Sequence, residues 1–510
     1  MEIDLILKNG NIVTMDPALE KCNWVAVKGG KITGRGIGAP PDTDAGLVID
    51  LKGKTVLPGL ADCHVHTLVA GLNLNAVPLQ HAKNIGEVLA LMRRACREAD
   101  SEWVFGANYV PQNVQEGRYP DRWELDSASD GKKVMIMAAT LHGCAVNSEG
   151  MKVSDVPEDM PGVEKKNGCP SGIFSSDESS FLATANVLGS LPDGILWGFI
   201  GDCCANAVSK GVTTMHGLFG QFVKGDRDVD LILKNKDKLP LEMAVFYQTW
   251  DVKQALDLGL PRVGGCLTLD GALFEYTMAN FEPYSSAPAL RGVLYHNDDE
   301  VYQVVSKAHA ADLQCSMHAV GERAIDQLIY TYRRVIMEQG RKDLRHRIEH
   351  FCLPTDGQIA MAKDLGLILS MQPGFTYLWD RAKGGEFEFC LGRARADRWD
   401  PFHRIIGAGC IVCGGSDCPV TPVEPLVDIA SCVHGHNPIR NIPVDDAIRM
   451  YTVNAAYAAG LEKSKGSIEV GKDADFVAVN MDPYEHFDQD DIYDLAAEMT
   501  IKAGTVVYQR

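Results

Sequence analysis

His64-Val65-His66 closes the apolar run Pro58-Gly59-Leu60-Ala61-Asp62-Cys63 and is the sharpest chemical signal in the chain. On a strand, positions i and i+2 face the same side, so both imidazoles can point at one cation. Neutral imidazole is a common ligand for zinc and related divalent metals. Taken alone, such a pair is frequent by chance, and a lone strand-end His is usually a hydrogen-bonded structural residue. Two further His shift that balance: His318 ends Cys315-Ser316-Met317 and His350 ends Arg347-Ile348-Glu349, 32 residues apart. Downstream, Cys413-Gly414-Gly415-Ser416-Asp417 empties an apolar run into a Gly-rich turn carrying one carboxylate. Asp417 has a plain reading as an Asx-turn or helix cap. Beside a metal-activated water, the same carboxylate accepts a proton and later delivers it to a leaving nitrogen, and we favour that role.

These side chains need a scaffold that brings distant segments to one place. Apolar strand-like runs alternate with helical stretches, as in 313–317 followed by 324–339, and 345–349 followed by 355–365. The 32 residues from His318 to His350 make one βα unit, and the 67 from His350 to Asp417 about two. A (β/α)8 barrel presents its functional groups at the C-terminal ends of its strands, which is where these residues recur. The 252 residues from His66 to His318 exceed four compact units, so an insertion is expected at about 71–192; its Gly/Pro-rich stretch 156–176 suggests a lid or a substrate-facing excursion. Short β-type runs with Asn-Gly and Gly-Gly turns fill residues 3–56, and strand-like segments return at 475–479, 499–502 and 506–508. The two ends are expected to share one sheet system. The expected division is 1–57 plus 467–510 as the β-rich unit and 58–466 as the barrel with its insertion.

Composition narrows the function classes. The chain has 510 residues, 46% hydrophobic and 23% charged, which is ordinary for a globular protein of this size. A net charge of -19 repels phosphate backbones and anionic lipid, so neither nucleic acid nor membrane is expected as a partner. The opening MEIDLILKNG lacks a basic, then apolar, leader pattern, and fifteen scattered Cys fit reduced thiols better than a disulfide framework. A cytoplasmic location is expected; a homodimer is compatible with everything above.

The segment 56–66, His318 in His318-Ala319-Val320-Gly321-Glu322-Arg323, His350 in Ile348-Glu349-His350, and Gly415-Ser416-Asp417 resemble the amidohydrolase superfamily, closest to its amidohydrolase-3 (YtcJ-like) branch. Lys8-Asn9-Gly10-Asn11-Ile12 near the start, and 454–458 and 466–477 near the end, resemble the same family's framing segments, so the likeness spans essentially the whole chain. It implies a metal-dependent (β/α)8 TIM barrel of α/β class with a small β-sandwich built from both chain ends. It also implies hydrolysis of an amide-like or other C–N bond of a small molecule, with Asp417 as catalytic residue and metal ligand. Zinc is the first expectation, as one or two ions.

One departure from that pattern bears on the metal. The branch carries a bridging Lys four residues before an Asp-Gly pair; counting back from Asp270-Gly271 reaches Cys266. Three outcomes stay open: a Cys266 thiolate as ligand, which is favoured, a single metal, or substitution by Asp270 or Glu275. The expected ligand set is therefore His64, His66, Cys266, His318, His350 and Asp417. On the substrate side His142 resembles a pocket-lining position. Phe375 stands where a His is frequent, in a Gln-Pro loop, and Tyr377, Trp379 and Arg393 are candidates to orient substrate. His216 is expected after the third strand as a supporting residue. A lyase, decarboxylase or isomerase on the same scaffold, and an inactive metal-binding protein, are the rival readings.

Overall fold

The computed structural model describes residues 3–41, 44–381 and 383–510. Its centre is an eight-stranded parallel sheet made, in chain order, by Leu60–Val65, Val212–Gly220, Glu242–Gln248, Arg262–Thr268, Gln314–Ala319, Arg347–His350, Ile368–Met371 and Ile411–Gly414. Each strand pairs in parallel with the next, with register shifts between the first and second strands and between the fourth and fifth. The seam between the eighth and first strands is closed by backbone just past the strand ends. The Asp417 N–H donates to the His64 carbonyl at 2.8 Å, and the His66 N–H to the Cys418 carbonyl at 3.0 Å. Nearly every strand residue is buried, because helices cover the outside and side chains fill the inside; such strands read as continuous apolar runs rather than alternating ones.

The helices between strands are set by local signals. Asn297 with Glu300, and Thr355 with Gln358, form capping boxes at the starts of Asp298–Ala310 and Asp356–Leu365. Helix Glu322–Gln339 follows the fifth strand and buries Ile325, Leu328, Ile329 and Tyr332, a 3–4 residue repeat facing the barrel.

Both chain ends meet in a second sheet. Phe476–Val479 pairs antiparallel with Thr55–Pro58, which pairs with Ile3–Val13, and Ala497–Lys502 and Thr505–Gln509 extend the sheet. Leu7, Val25, Val27, Val56, Phe476 and Ile501 fill its core. The fold is therefore the barrel with a β-sandwich from both termini that the sequence led us to expect. A third sheet of six strands, running from Val77–Pro78 to Cys169–Phe174, lies in the long excursion between the first two barrel strands. Among the described residues no helix is long and apolar enough to cross a membrane.

Candidate metal centre

The strand ends bring His64, His66, Cys266, His318, His350 and Asp417 into one buried cluster. His64 and His66 leave the first strand with ring centroids 5.5 Å apart, and His318 and His350 leave the fifth and sixth with centroids 4.4 Å apart. Cys266, on the fourth strand, lies between the pairs: its Sγ is 3.6 Å from His318 Nδ1 and 3.9 Å from His350 Nε2. Ligand atoms of His64, His66 and Cys266 all lie within 4.8 Å of one another, and so do those of Cys266, His318 and His350. His64, His350 and Asp417 form a third such group.

The backbone explains how these residues reach one point. Gly264 and Gly265 have φ of 94° and 109°, and the register against the fifth strand slips between Gly264 and Thr268. This bulge re-aims Cys266. A Cβ on Gly264 would stand 1.9 Å from the Ser316 carbonyl oxygen, so only glycine fits. His350 follows Glu349 directly, yet both reach the barrel interior; a φ of 75° at His350 breaks the usual alternation. Asp417 is also left-handed, at 56°, and Asp62 steadies its turn by accepting the Ser416 N–H at 2.9 Å and the His64 N–H at 3.2 Å. Non-glycine residues held at such φ values concentrate at functional sites.

Electrostatics keep the cluster ready for a cation. Burial opposes charge on Cys266, but the hydrogen bonds with His318 and His350 and the nearby rings of His64 and His66 outweigh it and hold the thiol well below its ordinary range. Burial likewise opposes charge on Asp417, and His64 and His66 hold its carboxyl well below the usual carboxylate range. Asp417 Oδ1 stands 3.3 Å from both His64 Nε2 and His66 Nε2. Even so, His64 Nε2 and Asp417 Oδ1 are buried without a hydrogen-bond partner. Buried lone pairs left in this state, with imidazole, thiolate and carboxylate donors, fit a divalent transition metal such as zinc.

Several functional residues escaped the sequence reading. Glu349 accepts from His64 Nδ1 at 2.8 Å and is gripped by Arg347 Nε and Nη2, each at 2.8 Å. Burial works against the Glu349 charge, but Arg347 and His64 bring its carboxyl down to about 2. Gln372 Oε1 meets His350 Nδ1 at 2.8 Å. Arg347-Ile348-Glu349 carried the signal, since residues two apart on a strand share a face. Asp270 is taken up by the N–H groups of Ala279, Val320 and Gly321 at 2.9–3.0 Å and lies 3.4 Å from His318 Nε2. Glu275 accepts from Thr140 at 2.7 Å. His216 sits inside the second barrel strand, not after the third, and accepts from Arg347 at Nδ1 over 2.9 Å.

A family model described as the amidohydrolase family matches residues 47–508. The chain belongs to the amidohydrolase family. Within the amidohydrolase-3 branch it is 25% identical to the putative amidohydrolase YtcJ of Bacillus subtilis over 99% of both chains. It is also 25% identical to an N-substituted formamide deformylase of Arthrobacter pascens, over 94% of each. A metal-dependent hydrolase from Pyrococcus horikoshii superposes with a TM-score of 0.76 at 22% identity, covering 94% of this chain and 98% of that one; this similarity speaks to the fold. As an amidohydrolase the protein is a metal-dependent hydrolase of carbon–nitrogen bonds.

Above the cluster of this amidohydrolase opens a pocket with His66, Cys266, His318, His350 and Asp417 in its floor. His142 and Trp379 line it, as does Phe375, which stacks over His350 at 6.2 Å. Tyr377 and Arg393 are not among the residues that line it. The supposed Gln-Pro loop is a helix, Pro373–Trp379, on which Phe375 and Trp379 are four residues apart and share a face. Tyr377 falls on the other side, 5.1 Å from Tyr493 by ring centroids. Arg393 opens a short helix, 45% exposed, and pairs with Asp397 at 2.7 Å.

Proposed function

We propose that this chain hydrolyses an amide-like C–N bond of a neutral, largely apolar small molecule, and that His64, His66, Cys266, His318, His350 and Asp417 would hold two divalent cations, zinc foremost. The observation carrying this reading is that both three-residue donor groups, one with His64 and His66 and one with His318 and His350, contain the same Cys266 sulfur. Bound divalent cations supply Lewis acidity, activating water near neutral pH and polarising a carbonyl. Asp417 accepts a proton from the attacking water and returns it to the departing nitrogen, so water adds to the acyl carbon as the C–N bond breaks. His142 offers a hydrogen-bonding group at the wall. Leu141, Phe181, Phe222, Phe375 and Trp379 hold an apolar substituent and exclude water, and no Lys or Arg lines the pocket among the described residues. That wall favours an uncharged substrate, and the relative from Arthrobacter pascens makes N-substituted formamides the first compounds to try.

We also take 1–57 with 467–510 as the flanking unit and 58–466 as the catalytic one. The compartment we propose is reducing and cytoplasmic, in keeping with fifteen free thiols, of which Cys169 alone is exposed. The test measures metal per chain and product labelling in heavy-oxygen water. Two equivalents in the wild type, loss of at least one in Cys266→Ala, and label in the released acid are expected. An unchanged metal content in Cys266→Ala removes Cys266 from the ligand set, and unlabelled product removes hydrolysis.

A further inference from the structure

Four imidazoles face the cluster, and their outward nitrogens are treated unequally. His66 Nδ1 is buried without a hydrogen-bond partner. His318 Nε2 lies 3.4 Å from Asp270, a carboxylate already taken by three backbone N–H groups. His350 Nδ1 meets the neutral amide of Gln372, whose Nε2 donates to the Ser370 carbonyl and so turns its oxygen toward the ring. On its outward nitrogen, among the described residues, His64 alone makes a hydrogen bond with a carboxylate, Glu349 Oε2 at 2.8 Å.

Glu349 is itself fixed on every side. Arg347 donates to both its oxygens at 2.8 Å, and Ser316 Oγ donates to Oε1. The same guanidinium reaches the Cys63 carbonyl at 2.9 Å, Ser370 Oγ at 2.8 Å and His216 Nδ1 at 2.9 Å, so one buried cation ties the first, second, sixth and seventh strands beneath the cluster. An ionised carboxylate only accepts, so the proton of the shared bond belongs to His64 Nδ1 and the lone pair to His64 Nε2, on the side of Cys266 and Asp417.

We propose that Glu349, braced by Arg347, is the positioning residue of the metal centre: it sets the tautomer and ring orientation of His64 and strengthens Nε2 as a donor. This rests on the two-cation reading above. A carboxylate behind a metal-binding imidazole is worth 10–100-fold in metal affinity as a general order of magnitude. The rival explanation is that Glu349 merely neutralises Arg347, since removing one partner of a buried ion pair strands the other.

The experiment compares the wild type with Glu349→Gln and with the double variant Glu349→Gln/Arg347→Met, which leaves no unpaired charge and stands in if the single variant does not fold. Zinc affinity is measured by chelator competition, and the visible absorption band is recorded after loading with cobalt(II). Failure of the wild type to bind metal strikes the two-cation reading, separately from this one. Given metal in the wild type, we expect at least about tenfold weaker zinc binding and a shifted cobalt band in a folded variant. Affinity within that limit, or weaker binding with an unmoved band, overturns the positioning role.

Discussion

Cys266 changes what the centre can do with protons. A sulfur ligand is softer than nitrogen or oxygen donors, and the four imidazoles around Cys266 hold its thiol well below its ordinary range. In the proposed mechanism proton transfer falls to Asp417, whose carboxylate stands 3.3 Å from His64 and His66 and lines the pocket floor. Asp417→Asn retains an oxygen donor but cannot take a proton. It is expected to lower kcat by about 10²–10⁴-fold with metal content kept; steady-state kinetics beside metal analysis checks this, and undiminished kcat removes Asp417 from the chemistry. The His-x-His pair, the two strand-end His and Asp417 were legible because each is a chemically loud residue at a strand end. Glu349 and Arg347 were not singled out because their role lies in pairing with each other and with His64, 285 residues from Glu349.

At the scale of elements, the fourth barrel strand shows how local backbone serves the site. Its Gly264-Gly265 bulge was printed in the sequence, but a glycine pair reads equally as a turn until the neighbouring strand is in place. Gly264→Ala must either leave φ near 94° or push the Ser316 carbonyl aside. A cost of about 3 kcal/mol is expected from the strain and clash, together with loss of metal, because Cys266 moves with the bulge. Urea unfolding and metal analysis read both, and a variant as stable and as metal-rich as the wild type defeats the account. The helix Pro373–Trp379 teaches the opposite lesson. Read as a loop, its three aromatics looked equivalent; as a helix, its period separates Phe375 and Trp379 from Tyr377.

Across the whole molecule, pocket and stability both depend on segments far apart in the chain. The excursion contributes Thr140, Leu141, His142 and Phe181 to a wall completed by Leu273 and Phe274, after the fourth barrel strand, and by Phe375 and Trp379. Behind the fifth strand, His309, from helix Asp298–Ala310, and His346 form a buried chain. The Cys315 N–H donates to His346 Nδ1 at 3.0 Å, His346 Nε2 meets His309 Nδ1 at 3.0 Å, and His309 Nε2 meets the Gly340 carbonyl at 2.9 Å. Burial first, then His309 and Lys342, push His346 down to about 3. The folded chain therefore keeps His346 neutral while the unfolded chain protonates it below about 6.5. Its contribution is whole above that pH and is lost as pH falls toward 3, about 2 kcal/mol by pH 5 relative to pH 7. Urea midpoints at the two pH values should show a smaller fall in His346→Gln; an equal fall rules His346 out as the group responsible.

The sequence by itself determined the kind of protein this is. Strand-end His at βα spacing, β-rich ends and a carboxylate in a Gly turn point to a metal-bearing barrel with a flanking β-rich unit, because hydrophobic period and ligand chemistry are local properties. Only the tertiary structure decided that the Cys266 sulfur stands between two imidazole pairs, that His64 is backed by a buried ion pair, and that Tyr377 and Arg393 stand outside the pocket lining. Those facts depend on distances between segments up to hundreds of residues apart, and such distances exist only once the barrel has closed.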